Sequence, residues 1–275
     1  MGRAKDIIVK VIPAKIANEF VKKHHYSGKV VPNSSLHFGC FLDSNLHGVM
    51  SYGSSMDKRK TLTYCSNTLW NEFLELNRMV FDEYLPANSE SRCIAISIKL
   101  IKKHAPHIKW IISYADGTMC GDGTIYRASG FNLVKIGKNS TIYEFPDGER
   151  IASLTLTNGG DLQSRKKIAD KYGAEFSSKS SMVPFTEIGA KKAEGYMFGY
   201  IYLIDKSCHI ACPILPYSKI DEMGAGMYKG KKISIAERRK QAAAEETDSG
   251  VQSETGGLTP TLPLHFDEAI NGREG

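Results

Sequence analysis

One stretch constrains this chain more than any other: SESRCIAISIKLIKKH, Ser89–His104. Cys93, Ile94, Ile96, Ile98, Leu100 and Ile101 give it a broad apolar face at helical spacing, and Ser89 is placed to cap it. FLELNRMVF (Phe73–Phe81) precedes it and a buried run, Ile111–Ala115, follows Trp110; both read as strands. A strongly apolar helix between two strands needs a sheet to lie on, which selects an α/β class. Upstream, Asp6–Ile12 alternates as a strand, and Pro13 opens a helix over Ala14–His24. Leu36–Leu42 and His47–Tyr52 form a hairpin turning on Asp43-Ser44-Asn45. Downstream, Asp122–Ser129 is a short helix ended by Gly130, and Phe131–Ile136 and Thr141–Phe145 are strands. The expectation is a mixed central sheet flanked by helices within residues 1–150. Residues 151–240 form a basic extension that completes the fold. In it, Asp161–Tyr172 reads as a basic amphipathic helix and Tyr196–Asp205 as a strand. Residues 241–275 read by composition as a disordered acidic tail.

Charge is unevenly placed. The last 35 residues carry one arginine against seven acids, while the first 240 carry 35 basic and 23 acidic residues. Such an excess suits a polyanionic partner, nucleic acid first. No apolar run reaches the ~20 residues of a membrane span, and the N-terminus has no signal-peptide pattern. Asp6 stands where a myristoylation signal needs Ser or Thr. These features point to the cytoplasm, without membrane contact. The six cysteines are scattered through apolar patterns and read as reduced, packed thiols. CHIAC (Cys208–Cys212) has no second pair at zinc-ligand spacing and reads as packing.

Four constellations could carry chemistry. KKHHYSG (Lys22–Gly28) puts imidazoles, a phenol and a serine at a helix end, although for this stretch alone a cationic helix C-terminus is the better explanation. ELNR (Glu75–Arg78) lies in a strand, with Glu75 and Asn77 on one side and Leu76 and Arg78 on the other by alternation. An arginine there needs an anion, either Asp116 or a substrate. ANSESR (Ala87–Arg92) opens the strong helix, where free N–H groups, Ser89, Ser91 and Arg92 suit an anion while Glu90 opposes one. SYADGTMCGDGTIYRASGF (113–131) ends a strand on Asp116, runs through a glycine loop and reaches Tyr126. Ligands of α/β sheets sit beyond such strand ends. The spacing fits neither a dinucleotide fingerprint nor a P-loop.

Taken in order, HHYSG, LHFGCF–LHGVMSYG, LELNRMVF, SESRCIAISIKLIKKHAPHIKWIISYADG and GTIYRASGF resemble the Mom family of phage DNA-modification proteins. The resemblance runs over roughly residues 20–131. It implies a GNAT-like mixed sheet with helices on both faces. It also implies conversion of adenine in duplex DNA to N6-carbamoylmethyladenine, which shields phage DNA from host restriction in the host cytoplasm. It places His25 and Tyr26 on the family's HY pair, Arg78 on its strand arginine and Ser91 on its serine at the helix start. Asp116 matches the acid after the strand, and Tyr126 the tyrosine of the following helix. By these matches Asp116, Tyr126, Arg78, Tyr26 and Ser91 are the catalytic candidates. Asp116 would take a proton or hydrogen bond from N6, and Tyr126 would stack on the base or act as acid. Arg78 would hold a donor carboxylate or keep Asp116 ionised. His25 and Tyr26 would close the site and, with Asp116, could hold Fe(II). Ser89, Ser91 and Arg92 would bind the donor.

GNAT enzymes open the equivalent helix with a glycine-rich pyrophosphate loop. ANSESRC has no glycine, which counts against acetyl-coenzyme A and leaves the donor, small-molecule or carrier-bound, unknown. Phosphate contacts with double-stranded DNA are expected from Arg165, Lys166, Lys167 and Lys171, and from the Lys229–Lys232 segment with Lys229, Lys231 and Lys232. A homodimer stays open. The competing readings are a GNAT acyltransferase acting on another amine and a non-catalytic DNA-binding protein that blocks restriction while bound.

Overall fold

A computed structural model describes residues 3–237 and residue 240; the acidic tail 241–275 lies outside the described residues. A 3-10 turn (Arg3–Asp6) leads into β1 (Ile8–Val11) and α1 (Ala14–His24), with Pro13 capping α1 from just outside. β2 (Ser34–Leu42) and β3 (Asn45–Gly53) make the hairpin, and Asp43 and Ser44 take positive φ at its turn. α2 (Lys58–Leu62) and β4 (Cys65–Ser66) bridge to β5 (Phe73–Phe81). Then come α3 (Ser89–His104), β6 (Trp110–Asp116), α4 (Thr124–Ala128) and β7 (Asn132–Lys138). β8 (Ile142–Glu144), β9 (Arg150–Ala152), α5 (Ser153–Thr157), α6 (Leu162–Tyr172), α7 (Val183–Glu187) and β10 (Lys191–Lys192) follow. β11 (Tyr196–Leu203), β12 (His209–Ile210), α8 (Ser218–Glu222), β13 (Met227–Tyr228) and β14 (Lys231–Lys232) complete the described chain.

Seven strands form the main sheet in the order β1-β2-β3-β5-β6-β11-β7. β5 and β6, the strands that flank α3, pair in parallel, and the other neighbours pair antiparallel. α3 buries Cys93, Ile94, Ile98 and Ile101 against Leu36, Phe38, Met50, Tyr52 and Leu76 on one face. Each such aliphatic side chain is worth about 1.5–3 kcal/mol. Ser97 of α3 meets the Tyr52 hydroxyl at 2.7 Å, which removes an unpaired polar group from that core. On the other face α1 lays Ala17 and Val21 on Val49 and Val80. This is the mixed sheet with helices on both faces that the resemblance implied. Among the described residues no helix is long and apolar enough to cross a membrane.

β11 lies far along the chain yet sits inside the sheet, between β6 and β7. Phe198, Gly199, Tyr200 and Ile201 are buried in succession, so this strand is covered on both faces. The expected strand Thr141–Phe145 has another fate. It supplies β8 to a three-stranded sheet, β10-β8-β9, that packs with α5, α6 and α7 around Phe145, Leu156, Ala169 and Phe185.

Two local expectations are corrected. Asn88, not Ser89, occupies the cap of α3, with φ 65°, and Ser89 is buried with its hydroxyl donating to Pro86 O. Arg78 does not share a face with Leu76. Leu76 opposes Tyr52 and Arg78 opposes the adjacent Ser51, so Asn77 is the extra residue of a β-bulge. Opposed residues share a face, and Tyr52 and Ser51 point to opposite ones. The bulge therefore turns Arg78 onto the α1 side, where Glu75 also lies.

Candidate active site

β5 and β6 run in register only from Phe73–Trp110 to Leu76–Ser113. Beyond the bulge they separate, because Asn77 no longer matches the β6 repeat. The gap opens a cavity of about 860 Å³ through the sheet. Towards α1 its wall carries His25, Tyr26, Arg78, Tyr114 and Asp116; towards α3 and α4 it carries Met79, Phe81, Glu90, Ile125 and Tyr126. The volume falls in the usual range for small-molecule sites.

Asp116 ends β6 at this gap. Its Oδ1 accepts from Thr118 N at 3.0 Å and from the Thr118 hydroxyl, and the Met119 N–H also acts on the carboxylate. Burial raises its pKa above the usual carboxylate range, opposed by the Thr118 bonds and by the charge of Arg150. A desolvated carboxylate on a cavity wall is suited to accept a proton. Arg78 donates Nε to Lys29 O at 3.0 Å and Nη1 to Asn77 O at 2.9 Å, which aims the guanidinium. It makes no ion pair with Asp116; burial lowers its pKa, and the anionic forms of Tyr26 and Glu75 raise it. The expectation that Arg78 keeps Asp116 ionised is thus corrected: the neighbouring charge is Arg150.

Arg150 was invisible in the sequence, inside an unmarked DGERIA run. It pairs with Glu144 and donates Nη1 to Thr118 O at 2.6 Å and Gly230 O at 2.7 Å. One guanidinium thereby fastens the loop after Asp116 to the β13–β14 hairpin. Gly230 sits at φ 74°, and a Cβ there would lie 2.6 Å from Thr118 O, so the close approach needs glycine. Asp122 N to Met227 O and Gly230 N to Cys120 O complete the clasp. Arg150→Gln should lower stability by about 1–3 kcal/mol in denaturant unfolding. It should also move the acidic limb of the pH–rate profile upward, because the charge that favours ionised Asp116 is gone.

His25 caps the end of α1. Its Nδ1 accepts from Ser27 N at 3.1 Å and lies 2.8 Å from the Ser27 hydroxyl, so in the neutral ring the proton belongs on Nε2. Burial, then Arg78, lowers its pKa to about 4. The unfolded chain binds a proton near pH 6.5 that the folded chain refuses. Stability from this residue is therefore present above pH 6.5 and lost as pH falls towards 4. Discounted for partial exposure, the slope amounts to about 1–2 kcal/mol. His25→Gln should flatten that part of the stability–pH curve in thermal melts at pH 4 to 7.

Tyr26 is 50% exposed at the cavity wall, its ring 4.2 Å from His25. Burial and Asp116 raise its pKa, so the phenol stays protonated. Tyr126 differs. It is 6% exposed and packed beside Phe131 and Tyr200, with its hydroxyl 2.8 Å from Ser113 Oγ. Its pKa is pushed up to about 12 by burial. Tyr126 is a wall, poorly placed for proton transfer, and Tyr26 is the aromatic ring with a free surface. The expected metal set, His25, Tyr26 and Asp116, does reach one cavity. One observation counts against the set: His25 Nδ1 accepts from Ser27 N, so the neutral ring carries its proton on Nε2 and offers no lone pair to an ion. Among the described residues no group of three or more His, Cys, Asp or Glu could hold an ion.

The start of α3 also departs from expectation. Glu90 lines the cavity, while Ser89, Ser91 and Arg92 do not. Ser91 donates to Asn88 O and Arg92 to Lys5 O. A carboxylate in the first turn occupies the position a phosphate would need. Of the expected DNA contacts, Arg165 is corrected outright. It is 2% exposed, and its guanidinium is spent on the carbonyls of Leu156, Ser177, Ser178 and Lys179. Lys166 pairs with Asp170, Lys171 with Glu149, and Lys232 lies 3.7 Å from Glu194. Lys167 and Lys231 are exposed, and Lys229 reaches the cavity wall. Lys29, which the sequence did not single out, joins Lys167 beside Asp161.

The profile of the Mom protein family matches residues 6–219. The methylcarbamoylase Mom of Escherichia phage Mu is 33% identical over 153 residues, which is 56% of this chain and 63% of that protein, so the alignment spans under two thirds of the relative's length. Among solved structures, similarity is found to the ribosomal-protein-S18-alanine N-acetyltransferase of Escherichia coli, at 10% identity and a TM-score of 0.38 over 72% of this chain and 94% of that one. The polyamine N-acetyltransferase of Drosophila melanogaster matches at 9% identity and a TM-score of 0.39 over 72% and 100%.

Proposed function

The chain belongs to the Mom protein family, and from that premise we propose that it is a transferase that places a carbamoylmethyl group on N6 of adenine in duplex DNA, protecting phage DNA from restriction. The observation that carries this reading is the cavity through the sheet, which gathers Asp116, Arg78, His25 and Tyr26 on one side. Adenine N6 is a weak nucleophile inside a stacked, paired duplex, so the base must be turned out to react. The α1 side takes the base: Tyr26 offers a ring to stack on and the Asp116 carboxylate a hydrogen-bond acceptor for N6–H. The α3 side, with Met79, Phe81 and Glu90, takes the donor. As N6 bonds to the donor methylene, the carbon's bond to its leaving group breaks and the N6 proton passes to Asp116. Arg78, whose Nε and Nη1 are held by Lys29 O and Asn77 O, has Nη2 without a backbone partner among the described residues and is placed to hold a developing negative charge. The donor is left as an activated carbamoylmethyl compound of unknown carrier; Glu90 disfavours a diphosphate such as coenzyme A.

The test is expression in a restriction-proficient bacterium, digestion of purified DNA to nucleosides and mass spectrometry. A deoxyadenosine species carrying the carbamoylmethyl mass is expected. Unmodified adenine beside abundant soluble protein, with restriction still blocked, would favour a protein that protects only while bound. Lys29, Lys167, Lys229 and Lys231 form the basic rim in this reading. The double substitution Lys29→Ala, Lys167→Ala should weaken duplex binding equally for all sequences. It should also flatten the salt slope by about 1.8 in log–log units.

A further inference from the structure

A second surface stands beside the cavity. Met56, Leu69 and Trp70 are exposed by 77%, 63% and 61%. Lys58 Nζ sits 4.4 Å over the Trp70 ring, which brings the two loops together. Arg59 and Lys60 are exposed and have no ion-pair partner among the described residues. The nearby acids are already engaged. Asp57 accepts from Lys60 N at 3.1 Å to cap α2, and Glu72 pairs with Lys109 at 2.8 Å. Lys58 thus stands on the exposed tryptophan, and Arg59 and Lys60 follow it on the same short helix α2. Large apolar groups rimmed by charge mark a contact surface rather than a stray exposure.

Its place in the fold argues for the occupant. Thr61 of α2 is buried, meets Ser55 at 2.8 Å and hydrogen-bonds Tyr114, a wall of the cavity. The patch thus adjoins the cavity wall through Thr61. An aromatic ring with a cluster of cations takes a nucleic-acid strand, bases on the ring and phosphates on the cations. We propose that Lys58, Arg59, Lys60 and Trp70 bind the unpaired DNA strand opened beside the reacting base, with Trp70 stacked on one base. This rests on the DNA reading above. It adds a contact for single-stranded DNA to the basic rim for duplex. Lys58 would leave the ring for a phosphate as the base arrives.

The chain has two tryptophans, and Trp110 is fully buried, so Trp70 reports the surface. Single-stranded oligonucleotide and a duplex with an unpaired gap should quench the emission of the full chain; intact duplex should quench it less. Trp70→Ala should abolish the quenching and weaken single-strand affinity, read by anisotropy, at least fivefold with an unchanged salt slope. Arg59→Ala with Lys60→Ala should instead flatten the single-strand slope by about 1.4. If Trp70→Ala binds single strands as tightly as the parent and the parent shows no quenching, the patch assignment is overturned while duplex binding stands. If no oligonucleotide binds the parent, both readings fall. If anionic lipid vesicles quench Trp70 and oligonucleotides do not, the surface is a membrane contact and the proposal is lost.

Discussion

Asp116→Asn should leave a folded protein that modifies DNA 10²–10⁴-fold more slowly, the usual contribution of a positioned general base. The substitution keeps the geometry, because an amide oxygen can still accept from Thr118 N and the Thr118 hydroxyl. It removes the carboxylate that accepts the proton. Stability should not fall. Burial raises the folded pKa of Asp116, so its carboxylate costs the folded state energy at neutral pH, and a neutral amide relieves that cost. A melting temperature equal to or above the parent's, together with collapsed turnover, is the expected pair of results. The same raised pKa means that activity in the parent declines with acid earlier than an ordinary carboxylate would dictate. Full modification activity in Asp116→Asn would sink the base assignment, whatever the melting temperature.

Arg165→Met should cost about 3–5 kcal/mol, seen as a large drop in the denaturant midpoint. The side chain is 2% exposed and donates to four carbonyls, at 2.8 Å to Leu156, 2.9 Å to Ser177, 2.7 Å to Lys179 and 3.3 Å to Ser178. Methionine fills the space and leaves those carbonyls unpaired. Lysine should rescue little, because a single ammonium cannot span the fork of contacts a guanidinium reaches. The neighbours make the control. Lys166→Ala removes an exposed pair with Asp170 and should change stability by less than about 0.5 kcal/mol. A loss below 1 kcal/mol in Arg165→Met would show that the 177–179 loop can satisfy its carbonyls another way.

The elements that local pattern controls were legible. α1, β5, α3 and α6 stand where periodicity, Pro13 and Asp161 put them. The hairpin turns on Asp43 and Ser44 because those residues tolerate positive φ. Four of the residues that reach the cavity from the α1 side were singled out in the sequence, His25, Tyr26, Arg78 and Asp116, although the bulge put Arg78 on the other face from the one expected and Tyr114 was not noticed. Residue type alone did not distinguish Arg165 from Lys166 and Lys167 on one helix. Its burial is set by a loop that is distant in pattern, Ser177–Lys179, folding back over it. Nor could it separate Tyr26, open at the cavity, from Tyr126, held in the core by Phe131 and Tyr200.

What the sequence determined by itself, then, is each segment's local conformation and the set of groups available for chemistry, since both depend on a residue and its near neighbours. The tertiary structure decided how they combine. An extra residue in β5 turned Arg78 across the sheet and parted β5 from β6, a strand beyond residue 195 filled the place between β6 and β7, and Arg150 tied three segments around Asp116. Register, burial and charge pairing depend on contacts between residues far apart in the chain, and no window along the sequence contains both partners.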